Sequence, residues 1–382
     1  MATGRVPTTA NSPLTTKGDL FGYSTTQARV AVGSDGDTLV ADSAATTGLR
    51  YVPAPVVANP VINGAFDIWQ RGTSFSVAAN TGGTYFADRW MADTNANQAC
   101  TFSRQDTGDT TNLPNIQYCF RFQRNSGQTG TGVQALFSSL ETTNTIPFVG
   151  KTITLSFYAR AGANYSPSGG NLVYRLLTGT GTDQNGLTTG YTGTANTISE
   201  TATLTTTWQR FSASATIPTT TKEMGVYFRN TFSGTAGAAD YYEVTGVQID
   251  IGSVALPFRR TGGTLQGELA ACQRYYYLHV SNDSRGLIAL GTYDGATTVS
   301  APIKLPVTMR TDPTLSIVTG TNYYVFRANA TDDTFDSLLL MGEVTTNTAG
   351  VYTTSGVSGT GGNAGNLYTN NASASLAFSA EL

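Results

Sequence analysis

The chain has 382 residues, 12% of them charged, and a formal net charge of −3. That length accommodates two or three domains, and the charge balance offers neither a basic footprint for nucleic acid nor an acidic block for a basic partner. With 42 Gly, 19 Tyr and 17 Phe, the composition favours strands and Gly-rich turns over helices, so the expected fold class is all-β. The start has no basic stretch followed by an apolar one, so no signal peptide is expected. No apolar run approaches the ~20 residues of a membrane helix, so no membrane insertion is expected either.

Residues 1–52 alternate short apolar runs with Gly and Asp turns, as in Leu20–Tyr23, Ala28–Gly33 and Asp37–Asp42. Their apolar surface is too small for an independent core, so the segment is expected to share a core between copies or to dock on something larger. A flexible tail is the alternative. Residues 53–60 hold Pro53, Pro55 and Pro60 and read as an extended linker.

Residues 61–260 carry the pattern of a β-sandwich. Ile62–Trp90 supplies Phe66, Trp69 and Trp90, and Trp208–Phe258 supplies Trp208 and Phe211. These large rings are expected to seed one core, with the two stretches as first and last strands. Between them, Gln117–Gln123, Val133–Leu140, Thr152–Ala159, Leu172–Leu177, Ile198–Leu204, Phe211–Ile217, Glu223–Arg229 and Tyr241–Ile251 read as strands. Ile153, Leu155, Phe157 and Ala159 share one face of such a strand. Eight or more antiparallel strands imply a two-sheet jelly roll.

Residues 261–278 hold the best helix, a short connector capped by Thr264, with Leu265, Leu269, Cys272 and Tyr276 near one face. Residues 279–382 read as a second β domain, with strands at Leu287–Thr292, Thr298–Leu305, Thr314–Val318, Tyr323–Ala328, Leu338–Val344 and Ser373–Phe378. Gly356–Asn371 reads as a long surface loop.

Chemistry-bearing residues are sparse. His279 is the one histidine, and no Gly-x-Ser-x-Gly elbow accompanies it. Histidine–cysteine metal sites fail on numbers. Cys100, Cys119 and Cys272 read as buried thiols, with a Cys100–Cys119 bridge between neighbouring strands left open. Asp88, Asp93, Asp106, Glu141, Glu223, Asp240, Glu243 and Asp250 are the acids from which a glycosidase pair would be drawn. None stands in a run that marks such a pair, so no enzyme is expected.

Several stretches resemble a known pattern. "INGAFDIWQRG…YFADRW" (62–72 and 85–90) and "TWQRFSASATIP…GVQIDIGSVALPF" (207–218 and 246–258) resemble the opening and closing of a domain of tailed-bacteriophage structural proteins. That domain is similar to the jelly roll of carbohydrate-binding modules. "ELAACQRYYY" (268–277) resembles the segment that follows it. "LTTKGDLFGYS…ARVAVGSDGDTLVADSAATTGLRYV" (14–52) resembles a module of phage fibres, usually an intertwined trimer. The resemblance implies a tail fibre or receptor-binding protein of the virion, synthesised in the host cytoplasm. It implies a homotrimer that meets other virion proteins through residues 1–52 and a host surface polysaccharide at its C-terminal tip. Tyr293, Asp294, Tyr323, Tyr324 and Tyr352 are then the expected ligand residues. The same resemblance allows a structural calcium at Asp67 and Asp250, although the family often carries Glu where Asp67 stands; no other cofactor is required. A capsid decoration or head-fibre protein is the first alternative, and a tail-associated glycan depolymerase the second.

Overall fold

The structure, a computed structural model, describes residues 14–382 except 24–25, 34–36, 54–57, 95–97, 114 and 282. Residues 54–57 of the linker therefore lie outside the described residues. The described part is all-β with two short α-helices.

Two hairpins open the chain. β1 (Leu20–Tyr23) pairs with β2 (Gln27–Val30), and β3 (Asp37–Ala41) pairs with β4 (Leu49–Pro53). Val30 and Val52 are buried, whereas Leu20, Phe21, Tyr23, Val32 and Leu39 are exposed. The hairpins thus leave much of their apolar surface uncovered within one chain.

The sandwich contains β5 (Ser74–Val77), β6 (Thr84–Tyr85), β7 (Met91–Asp93), β8 (Cys100–Asp106), β9 (Tyr118–Arg124), β10 (Gly132–Ser139), β11 (Thr152–Ala161), β12 (Asn171–Gly179), β13 (Ala195–Thr203), β14 (Gln209–Thr216), β15 (Glu223–Phe232) and β16 (Tyr241–Ile251). Two six-stranded sheets result, in the orders β13-β12-β15-β10-β7-β6 and β14-β11-β16-β9-β8-β5. A one-turn helix, α1 (Thr142–Thr145), connects β10 towards β11. The core lies between the sheets. Leu172, Tyr174 and Leu176 of β12 and Met224, Val226 and Phe228 of β15 face it, against Ile153, Leu155 and Phe157 of β11. Each such side chain contributes about 1.5–3 kcal/mol by leaving water.

The opening of the first tryptophan-rich stretch enters this core without forming a strand, which begins only at β5. Residues 61–73 are turns, with Asn63 (φ 58) and Phe66 (φ 54) in the left-handed region. The Asn63 side chain makes this tolerable, since it accepts from Ile68 N at 3.0 Å and donates to Ile68 O at 2.8 Å and Asp88 O at 3.0 Å. Phe66, Trp69 and Trp90 are residues of this core, and the half-buried Phe211 packs against the same core, its ring stacked on Phe157. Trp208 is buried elsewhere. It sits with Ala65, Leu113, Ile116 and Cys119 and donates its indole N–H to Thr107 O at 3.0 Å, so the five rings seed two clusters.

Helix α2 (Leu265–Gln273) begins at Thr264, whose hydroxyl accepts from Gly267 N. Its buried residues are Glu268 and Cys272, followed by Tyr275, while Leu265 is 54% exposed. The buried stripe is rotated from the expected one because Glu268 is drawn inward by backbone donors at Asn63 and Gly262.

The C-terminal unit contains β17 (Tyr276–Ser281), β18 (Leu287–Gly295), β19 (Thr298–Lys304), β20 (Thr314–Val318), β21 (Tyr324–Ala328), β22 (Thr331–Phe335), β23 (Leu339–Leu340), β24 (Thr348–Thr353), β25 (Ala364–Thr369) and β26 (Ser375–Ser379). Seven form one sheet, in the order β22-β21-β25-β18-β19-β24-β23, and β17-β26-β20 form another. The region expected to be a long loop supplies β25, which pairs with both β18 and β21. Its glycine is a packing requirement, because a Cβ at Gly365 would stand 2.4 Å from Arg327 O.

Cys100, Cys119 and Cys272 are all free thiols. Cys100 stands opposite Arg124 and Cys119 opposite Gln105, so the two lie at opposite ends of the β8–β9 ladder, beyond bridging distance.

Candidate functional site

The stretches that dominate the sequence pattern build a joint between the sandwich and the C-terminal unit. Gln70 donates to Tyr276 O at 2.6 Å and accepts from Leu278 N at 3.0 Å. The Arg71 guanidinium lies 3.6 Å from the Tyr276 ring centroid and that of Arg89 3.6 Å from the Tyr275 ring centroid. Both arginines pair with Glu381. Asp88 sits beneath them, accepting from Gln70, and burial pushes its carboxyl up to about 6 against the opposing charge of Arg71. Every group here is used by another part of the chain.

The expected ligand residues of the C-terminal unit are divided by the fold. Tyr293 and Tyr324 are core residues, 5% and 0% exposed, and their hydroxyls donate to Asp333 and to Val318 O. Neither presents a ring face, because each strand alternates and both fall on its inner side. Asp294 is exposed and accepts from Ser300 Oγ at 2.8 Å. Tyr323 and Tyr352 are half-buried. His279 bonds to Ile288 O and Tyr277 Oη, and burial lowers its pKa.

Asp67 pairs with Arg260 and Asp250 with Arg259, each at 2.8 Å. Among the described residues, no group of three or more His, Cys, Asp or Glu is placed to hold a metal ion. A cation there would have to displace two guanidinium groups, so these residues do not fit calcium. The other acids are similarly engaged. Asp240 holds Arg124, Glu243 holds Arg121 and Arg160, and Glu141 holds Arg274. Asp93 accepts from Ala135 N, and Glu223, whose carboxyl burial pushes up, accepts from Gln184 N. Asp106 is exposed at the end of β8.

The outer face of the first sheet is different. Register places Arg175 opposite Tyr227 and Val173 opposite Arg229 on β12 and β15. Alternation fixes their side: Leu172, Tyr174 and Leu176 are buried, while Val173 and Arg175 are half-exposed, as are Tyr227 and Arg229. Arg175 and Arg229 are diagonal neighbours on one face, a separation of ~7–8 Å. They line an open groove of about 330 Å³ with Val173, Asn171, Asn230 and Ser168.

No hydrogen bond, ion pair or ring contact within the described residues engages either guanidinium, and the buried Nε of Arg175 has no acceptor. The other described arginines are each held by a carboxylate or by backbone carbonyls. The Asn230 side chain, 4% exposed, turns to the inner side of β15 with Phe228 and donates to Tyr165 Oη, so it is not part of this face. Burial and the charge of Asp93 push the Tyr227 phenol up, and the two arginines oppose them. The face therefore joins a half-exposed ring and two unpaired cations.

Sequence pattern alone placed Arg175, Tyr227 and Arg229 inside strands and singled out none of them. The available signal was positional: in a chain of low charge, both arginines occupy outward positions of alternating strands. That those strands are neighbours is a tertiary fact.

No protein-family model and no curated protein matches the chain. Among solved structures, its likeness is to jelly-roll carbohydrate-binding modules, distant and partial. A family 4 carbohydrate-binding module is 16% identical, covering 50% of this chain and 99% of its own, with a TM-score of 0.29. The enzymatically active domain of tailspike protein 4 of bacteriophage CBA120 is 14% identical with a TM-score of 0.32; the match covers 53% of this chain and 22% of the tailspike chain. The C-terminal family 22 carbohydrate-binding module of a Clostridium thermocellum xylanase is 16% identical, covering 44% and 89%, with a TM-score of 0.27.

Proposed function

We propose that this protein is a non-catalytic adhesion protein of a tailed-phage virion, and that it holds carbohydrate in the groove on the outer face of the sandwich. The observation that carries the reading is that Tyr227, Arg175 and Arg229 share one outward sheet face, where the two arginines line an open groove. A sugar needs a rigid ring beside it and directional donors around it, and this face offers both. Adhesion needs no turnover. Several weak sites on one particle multiply through effective concentration. The virion setting and a trimeric assembly rest on the resemblance of residues 14–52, 62–90 and 207–277 to phage structural proteins. The exposed apolar residues of the N-terminal hairpins agree with a segment that is covered by copies of itself or by another virion protein.

Binding of the full chain to a panel of immobilised glycans tests the site. The expected result is retention on a subset of glycans that is lost in Tyr227→Ala, with unchanged reducing-end content of the panel. Retention by the variant equal to the parent would remove the groove from the reading, and steady release of reducing ends would make the protein a depolymerase. Light scattering tests the assembly. Mass near three times the 40.1 kDa chain is expected, and a monomer would sink the fibre.

A further inference from the structure

The groove also defines the chemical class of its ligand. Resting on the reading that the groove holds carbohydrate, we propose that it selects an anionic saccharide, with the acid group bound by Arg175 and Arg229.

Three observations carry this. First, like charges placed near each other on a sheet face oppose each other, and neither Arg175 nor Arg229 forms an ion pair among the described residues. An arriving carboxylate or sulfate would supply the missing acceptor, and guanidinium groups match such groups through paired parallel hydrogen bonds. Second, the Arg175 Nε has no acceptor within the described residues, so the fold itself does not hold this guanidinium. Third, the flanking strand β13 presents small uncharged side chains. Ser199 and Thr201 of β13 stand opposite Arg175 and Val173, so the face is open on the β13 side. Asp93, beyond Ala135 on β7, is the acid nearest in register to Arg229, and its carboxylate accepts from Ala135 N.

The experiment compares matched glycans on the full chain, namely neutral, methyl-esterified uronic, free uronic, sialylated and sulfated oligosaccharides. The parent is set beside Arg175→Gln/Arg229→Gln. The expected result is that the bound glycans are anionic, that esterifying the acid weakens binding about tenfold or more, and that the double variant loses the same factor. Free uronic or sialic acids bound in preference to sulfated glycans would identify the acid as a carboxylate, and the converse as a sulfate; either supports the proposal. Binding of neutral and anionic glycans with equal strength, unaffected by the double variant, would overturn the anionic specificity and leave the carbohydrate reading standing. Binding to no glycan at all would overturn both. Because neither arginine is engaged by the chain, the double variant is expected to melt with the parent, which a thermal scan checks before binding is read.

Discussion

Arg124 and the Arg175–Arg229 pair lie on the same sandwich and live in opposite surroundings. Arg124 is fully buried at the end of β9. Its terminal nitrogens donate to Asp240, to Ser166 and to the carbonyls of Gln128, Gly130, Ser233 and Gly234. It ties two loops to the sheet edge. Arg175 and Arg229 stand on an open face with no acceptor in the described chain. A charge that holds a fold carries its partners with it, because a buried ion without them is too costly to keep. A charge kept without partners on an open face is available to something outside the chain. The same contrast separates the joint of Arg71, Arg89 and Glu381, which the sequence pattern emphasises, from the groove, which it does not.

The comparison breaks most readily at Arg124. Arg124→Met strands the Asp240 carboxylate in the interior, and a loss of about 3–5 kcal/mol is expected in urea unfolding. A loss below 1 kcal/mol would mean that the pair is dispensable and the contrast false.

The joint predicts a pH effect of somewhat smaller size. Burial raises the Asp88 pKa from 3.8 to about 6. Between these values the folded chain holds a proton that the unfolded chain has released. The stabilising contribution is therefore complete below about pH 4 and is lost as pH rises through about 6. Relative to Asp88→Asn, the parent should lose about 3 kcal/mol across that window. Parallel stability curves for the two proteins would remove Asp88 as the titrating group.

The cap of α2 sharpens the joint further. Thr264→Ala removes the acceptor for Gly267 N and should cost about 1 kcal/mol in thermal unfolding. No change would show that the helix is held by Glu268 and Cys272 packing alone. The smallest effect belongs to the groove. Arg175→Gln/Arg229→Gln should move stability by no more than about 0.5 kcal/mol. A loss above 1 kcal/mol would place these arginines with Arg124, among the groups that hold the fold.

Much of the architecture was legible as pattern. Alternation in Ile153–Ala159 and Phe211–Ile217 gave strands close to those observed, and the Thr264 cap marked the helix start. Pattern failed where backbone chemistry overrode it. Residues 61–73 look like an apolar strand, yet Asn63 and Phe66 adopt positive φ and the stretch turns on itself within the core. Residues 364–369 look like a loop, yet Gly365 is small because another backbone approaches it, and the strand is central to its sheet. Tyr293 and Tyr324 looked like surface rings because an aromatic residue beside a turn reads the same whether it faces in or out.

The sequence by itself determined the all-β class, the strand periodicity, the helix cap and the scarcity of catalytic groups, since each is a property of composition or of neighbours within about ten residues. Only the tertiary structure decided which charges are paired. Arg124 meets Asp240 across 116 residues, Arg89 meets Glu381 across 292, and Arg175 meets Tyr227 through strand register. Whether an arginine is a structural brace or a free donor depends on what the chain folds against it, and no local pattern encodes that.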